Sequence, residues 1–384
     1  MKPAVSLQAL ADYHPAAVTA ALAELLAPLG GIAAFVRPGQ KVLLKPNMLA
    51  GKAPEKAVTT HPEILRGVIR AVRAAGGLVS VGDSPGVGSP EQVARRCGLL
   101  QVIEEEGARF APFRESVKVR VGQGTFHELE LARDILEADL VINLPKLKTH
   151  QMMGLTCGVK NLFGAVVGMR KVRLHLQAGT DKEFFALMLL ELVEQIAPAL
   201  TIVDAVVAME GDGPGSGDPV PVGALLAGAN PVAVDTVAAA LLGLGPKVNW
   251  TQKVASQSGR EGSDLAGVDL LGTPLKELQV NHFRPAKTTD VNFGLPAFIK
   301  QPLKNALTAR PAPDTSKCVR CGLCIEHCPP QAMRIAGDHL EIDYARCIRC
   351  FCCQELCPHG ALVTEQGLLL RLNYFLRGRL MFAV

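Results

Sequence analysis

Eight of the eleven cysteines fall in two copies of one run, Cys318-x2-Cys321-x2-Cys324-x3-Cys328-Pro329 and Cys347-x2-Cys350-x2-Cys353-x3-Cys357-Pro358. A cubane cluster needs four thiolates converging on its iron corners. This spacing supplies three from a tight loop and a fourth from a distant segment, the bacterial pattern for two [4Fe–4S] clusters. In that pattern the fourth cysteine of each run serves the other cluster. The expected ligand sets are therefore Cys318, Cys321, Cys324 and Cys357 for one, and Cys347, Cys350, Cys353 and Cys328 for the other. Similarity persists beyond the thiols, since Cys328-Pro-Pro-Gln-Ala-Met-Arg334 aligns with Cys357-Pro-His-Gly-Ala-Leu-Val363. That is an internal duplication. Zinc has no use for the x3-Cys-Pro ending, and a disulfide framework requires an oxidising compartment. A module of this size buries too little to hold itself together alone, so its clusters act as the staple.

The rest of the chain reads differently. Short apolar runs at Lys41–Lys45, Gly77–Gly82, 139–144, Leu200–Val207 and near 222–228 alternate with helical stretches. The helices are expected over 15–29, 61–75, 90–106, 182–196 and 231–243. Strand–helix alternation predicts an α/β domain, a mostly parallel sheet with helices on both faces. A small α+β ferredoxin-like domain binding two [4Fe–4S] clusters follows it. The expected boundaries are 1–300 for the α/β domain, 301–313 for a proline-marked linker, 314–365 for the cluster domain and 366–384 for a tail. Hydrophobic residues at 48% supply a large core, and a net charge of +4 argues against a nucleic-acid partner. The N-terminus lacks the apolar stretch of a signal peptide, and no apolar run is long enough to span a bilayer. With reduced cysteines these features predict a cytoplasmic protein. The tail carries Leu368, Leu370, Phe375, Leu376 and Leu380 with Arg371, Arg377 and Arg379. It is expected to dock on the large domain or a second subunit, a membrane-surface contact being the alternative.

In open α/β sheets, ligands bind beyond the carboxyl ends of the strands. The unusual polar residues collect there: Lys45-Pro-Asn47, Asp83-Ser-Pro-Gly86, Lys146-Leu-Lys148-Thr-His150, Lys160-Asn161 and Glu210-Gly-Asp212. Lys45, Lys146, Lys148 and Lys160 would place positive charge around an anionic substrate or cofactor. His150 and His175 are candidate acid and base, or metal ligands. Asn47, Asp83, Asn161, Glu210 and Asp212 are candidate cofactor contacts. Cys157 is read as a small core residue or a reactive thiol, and Cys352 is left without a role.

These loops, Leu44-Lys45-Pro-Asn47, Thr59-Thr-His61-Pro-Glu63, Gly82-Asp83-Ser-Pro-Gly86, Asn143-Leu-Pro-Lys146-Leu-Lys148-Thr-His150, Lys160-Asn-Leu-Phe-Gly164 and Glu210-Gly-Asp212-Gly-Pro214, resemble the family known as domain of unknown function 362. Its members are often fused to a two-cluster ferredoxin module and are described as iron–sulfur proteins of presumed redox function. A fainter resemblance joins His150, Lys160, Gly164 and His175 to nickel-pincer lactate racemases. That resemblance implies Lys160 as a covalent cofactor tether, His175 as a metal ligand and His150 as a base. The chain departs from it by having Gly158-Val159 before the lysine and a shorter spacing to His175.

Three functions are consistent with these features. The first is a reductase whose clusters feed an anionic small molecule or cofactor in the α/β crevice. The second is an electron carrier serving a donor or acceptor protein. The third is a racemase-like enzyme with an additional cofactor or metal in the large domain. No G-x-G-x-x-G or P-loop supports a nicotinamide or nucleotide site.

Overall fold

Period-two alternation sorts the strand residues onto two faces. Val42 and Leu44 enter one core, and Leu43 between them enters another. Ile142 and Leu144 repeat this against Val141, and Leu200 and Ile202 against Val203. Strands buried on both faces must be covered on both, and they are. The structure, a computed structural model, describes residues 2–86, 88–121, 124–245, 248–287, 306 and 308–371.

The strands of the large domain are β1 (Ala4–Ala9), β2 (Lys41–Pro46), β3 (Leu78–Val81), β4 (Arg109–Phe110), β5 (Ser116–Arg120), β6 (Glu128–Ala132), β7 (Leu140–Leu144), β8 (Lys146–His150), β9 (Gly154–Thr156), β10 (Leu200–Glu210), β11 (Asp218–Gly228) and β12 (Asp269–Gly272). The main sheet runs β12-β1-β11-β10-β7-β2-β3-β4, with β8 paired to β10 and β9 to β8. Its centre, β10-β7-β2-β3-β4, is parallel. β11 is antiparallel to both β1 and β10, so the sheet is mixed.

Helices α1 (Pro15–Leu26), α2 (Pro62–Ala74), α3 (Pro90–Arg96) and α4 (Leu99–Glu105) cover one face. The other face is covered by α5 (Arg133–Leu136), α6 (Gly158–Asn161), α7 (Arg170–Ala178), α8 (Lys182–Ile196), α9 (Pro231–Leu241) and α10 (Trp250–Gln257). Helix starts follow local chemistry. The His61 side chain accepts from Glu63 N–H at 3.2 Å, and Pro62 opens α2. Asp181 caps α8 and Asn230 caps α9 in the same way.

The cluster domain has two antiparallel pairs, its terminal strands β13 (Ala309–Pro313) and β16 (Leu362–Gln366) and the hairpin of β14 (Met333–Ala336) with β15 (His339–Ile342). Short helices Leu323–Glu326 and Cys352–Leu356 complete it. The duplication survives in the backbone. Arg320 and Arg349 both have φ 57°, and Gly322 and Phe351 follow with φ 81° and 59°. Left-handed conformations are uncommon for side-chain-bearing residues, so the two cysteine loops share one unusual turn.

Several expectations need correction. Residues 309–313, expected as linker, form a strand of the cluster domain because their backbone groups pair with Leu362–Gln366. Residues 301–305 and the tail 372–384 lie outside the described residues. Lys146–His150, expected as a loop, is strand β8, with Lys146 opposite Asp204 and Lys148 opposite Met209. Among the described residues, no helix is long and apolar enough to cross a membrane.

Candidate functional site

The carboxyl ends of β2 and β3 place Lys45 and Asp83 together. Lys45 Nζ lies 2.8 Å from Asp83 Oδ1, and both side chains are buried. Asp83 Oδ2 also accepts from Met48 N–H at 2.8 Å, which pins the loop after β2. Burial pushes the Lys45 ammonium down, against the pull of Asp83. Next to this pair runs a ladder of amides. Lys148 Nζ donates to Asn47 Oδ1 at 2.9 Å, Asn47 Nδ2 to Asn161 Oδ1 at 2.8 Å, and Asn161 Nδ2 to Asn143 Oδ1 at 2.8 Å. Each buried amide has its partners, so α6 is fixed against the ends of β2, β7 and β8.

A cavity of about 240 Å³ opens above this ladder. Lys148, His150, Lys160, Lys171 and His175 line it from the α/β domain. Cys352, Glu355 and Leu356 line it from the cluster domain, so the Cys352–Leu356 helix forms part of its wall. His150 Nδ1 accepts from Met152 and Met153 N–H at 3.2 Å. That assigns the ring proton to Nε2, which lies 2.8 Å from Glu355 Oε1 across the domain boundary. Burial raises the Glu355 carboxyl, but His150, Lys160 and His175 outweigh it and hold it at about 2.

The cavity is electropositive. Lys45 is matched by Asp83, and Glu355 faces His150. Among the described residues, Lys148, Lys160 and Lys171 have no carboxylate at ion-pair distance. Burial brings Lys148 and Lys171 down to about 7 and lowers Lys160 as well. His175 stacks on Phe185 at 4.3 Å and meets Phe163 edge-on at 5.6 Å. Burial drives it down to about 3, so it is neutral near pH 7, and its Nδ1 lacks a hydrogen bond.

Lys171 and Glu355 were not foreseen. Lys171 lies one helical turn before His175, so α7 points both at the cavity. Its Nζ donates to Ser84 O at 2.7 Å and Ser84 Oγ at 2.8 Å. The i,i+4 spacing was a usable signal. Glu355 follows the third cysteine of its run by two residues, as Glu326 does in the first run. Glu326 is exposed, whereas the Glu355 side chain keeps only 11% of its exposure, a difference no local pattern carries.

Three candidates stand apart from the cavity. Lys146 is fully buried against Asp204 at 2.9 Å and Tyr13 Oη at 2.8 Å, a closed cluster behind the site. Glu210 holds Arg284 at 2.7 Å and Asp212 faces Lys287 at 3.4 Å, in a separate surface groove. Beneath α6, Asp235 Oδ2 accepts from Val159 N–H at 3.3 Å, and burial raises its carboxyl to about 7. Cys157 is buried next to Asp235, which with burial raises its thiol, so it is not poised as a thiolate.

In the cluster domain Cys318, Cys321, Cys324 and Cys357 line one small apolar pocket. Burial raises the Cys353 thiol, and the nearby thiols of Cys350, Cys347, Cys324 and Cys328 raise it further. Ala332 N–H donates to Cys328 Sγ and Ala361 N–H to Cys357 Sγ, both at 3.3 Å. Converging thiols with matching N–H···S bonds suit thiolate ligation of iron. Cys347, Cys350 and Cys353 are buried, whereas Cys321 is exposed.

The family model described as a domain of unknown function, DUF362, matches residues 42–240, and that of the 4Fe–4S dicluster domain matches 310–358. A thylakoid-associated protein of Synechocystis sp. is 38% identical over 306 residues, covering 79% of this chain and 95% of that protein. Among solved structures, the lactate racemase apoprotein of Thermoanaerobacterium thermosaccharolyticum is 13% identical with a TM-score of 0.39, over 60% of this chain and 55% of that one. A protein from Thermotoga maritima is 12% identical with a TM-score of 0.33, over 54% and 53%. This chain thus spans about half the length of those two solved chains.

Proposed function

The chain belongs to the DUF362 family and carries a 4Fe–4S dicluster domain, which makes it an iron–sulfur protein; from that premise we propose a reductase acting on an anionic small molecule held between its two domains. The reading rests mainly on the Cys352–Leu356 helix. This helix closes the lysine-lined cavity and puts Cys353 directly after a residue of its wall.

On this reading Cys318, Cys321, Cys324 and Cys357 hold one cluster, and Cys347, Cys350, Cys353 and Cys328 the other. When bound, such clusters supply electrons one at a time. Lys148 and Lys171 bind the anion beside Lys160, in a setting where burial strengthens each charge–charge contact. His150 carries its proton on Nε2, the nitrogen facing the cavity wall, and can donate a hydrogen bond there. Leu356 and Phe163 exclude water. The exposed side at Cys321 suits a small one-electron donor protein in the cytoplasm.

The test is anaerobic. The fully reduced protein is mixed with a panel of carboxylates while cluster absorbance is followed. Reoxidation by one carboxylate class, abolished in Lys160→Ala with clusters intact, is the expected result. If no small anion reoxidises the protein but a redox protein does, it is a carrier and the reductase reading falls. Full activity in Lys160→Ala would remove Lys160 from the site.

A further inference from the structure

Three lysines line the cavity, and their tethering differs. Lys148 donates to Asn47 Oδ1 and to the Val58 carbonyl. Lys171 donates to Ser84 and to the Pro85 carbonyl. Lys160 has neither an ion pair nor a hydrogen bond among the described residues, although it is only 8% exposed. Its Nζ sits instead over the Phe163 ring at 4.6 Å and the Phe185 ring at 5.9 Å. Its remaining exposure is to the cavity it lines, so the amine faces that space with an aromatic wall behind it and no protein acceptor to hold it. The residue is retained in a cavity that already has two anchored cations.

We infer that Lys160 is a nucleophile that forms an imine with a carbonyl-bearing carboxylate, whose anionic group is held by Lys148 and Lys171. This rests on the anion-site reading above. A desolvated lysine near other cations is the usual arrangement for Schiff-base chemistry. Burial lowers Lys160, and Lys45 adds to this, against the pull of Glu355 and Cys352. Lys148, Lys171, His150 and His175 also face it.

The Nζ lone pair attacks the carbonyl carbon, and an N–C bond forms. Nζ gives up its two protons and the carbonyl oxygen leaves as water, so amine plus carbonyl becomes imine plus water. The two protons that Nζ gives up end on the departing oxygen, so the step needs no external acid, and the neutral His150 keeps its Nε2 proton. Direct reduction of C=N would leave Lys160 alkylated, so the bond reduced must be a carbon–carbon double bond conjugated with it. That bond takes two electrons, supplied singly by the donor protein of the reading above, and two protons. Hydrolysis then frees the lysine. The substrate class is therefore an α,β-unsaturated carbonyl compound bearing a carboxylate.

The experiment traps the imine. The cluster-loaded protein is treated with limiting glyoxylate and cyanoborohydride near pH 7, and carboxymethyl-lysine is mapped by peptide mass spectrometry. Binding of oxalate, which has no electrophilic aldehyde, is measured in parallel by thermal shift. The expected result is one major adduct, on Lys160, suppressed by oxalate and lost in Lys160→Arg. Cluster absorbance and circular dichroism check that the variant is folded, and Lys171→Arg should still label at Lys160. Oxalate binding with adducts confined to surface lysines would overturn the nucleophile and leave the anion site standing. Neither oxalate binding nor an adduct would overturn both.

Discussion

Gly164 should be irreplaceable for a reason that can be measured. A Cβ built there would lie 1.9 Å from Asp83 Oδ1 and 2.7 Å from Lys45 Nζ. Ordinary contact begins near 3.4 Å, so about 1.5 Å of space must open. Asp83 cannot yield cheaply, because its other oxygen holds Met48 N–H at 2.8 Å. Lys45 is fully buried with Asp83 as its ion partner. Alanine at 164 therefore separates a buried ion pair, which typically costs about 3–5 kcal/mol. Gly168, four residues on, is the control. It has φ +53° and a Cβ added there would meet nothing within 4 Å, so Gly168→Ala carries only the left-handed backbone cost, about 1–2 kcal/mol. Urea unfolding followed by fluorescence reports on the α/β domain alone, since the one tryptophan is Trp250 on α10. Cluster absorbance follows the other domain separately. A loss for Gly164→Ala no larger than that for Gly168→Ala would refute the argument that the pair is locked.

Further outcomes follow from the same geometry. Cys357→Ser should disrupt the cluster at Cys318, Cys321 and Cys324, although Cys357 belongs to the second run; Mössbauer or EPR spectra showing loss of the other cluster would refute the crossed ligation. Glu355→Gln removes the internal carboxylate from an electropositive cavity, so oxalate should bind several-fold tighter at low salt, and weaker binding would contradict that charge balance. Asp235 is raised by burial from 3.8 to about 7, so the native state keeps a proton the unfolded chain has lost and stability falls as pH rises from about 4 to 7. Asp235→Asn should remove that loss, read as the difference in urea midpoints between pH 5 and 8. His175 shows the opposite sign. Burial lowers it to about 3, so stability is lost as pH falls from about 6.5 toward 3. His175→Phe, which keeps the ring between Phe163 and Phe185, should flatten the acid limb of the stability profile.

Much of this protein is written in short-range pattern. Val42, Leu43 and Leu44 declare a strand buried on both faces because side chains alternate with period two. The cysteine runs declare cluster ligation because a tight loop must present three thiolates to one small body. Lys45, Asp83 and His150 are legible as candidate site residues because chain reversals at strand ends gather polar groups on one sheet edge. Legibility ends where partners are distant. Lys146 and Lys148 share one strand and read alike, yet Asp204 and Tyr13 enclose the first, while Asn47 hands the second to the cavity. Glu210 and Asp212 look like ligand contacts until Arg284 and Lys287 arrive from the far end of the domain. Glu326 and Glu355 stand at equivalent places in a duplicated run, and only the second is drawn out of solvent, against His150. Local spacing is fixed by backbone geometry and can be read from the sequence. Which charges meet is decided by tertiary packing, within the α/β domain for Lys146, Lys148, Glu210 and Asp212 and between the two domains for Glu355, and that appears only in the folded chain.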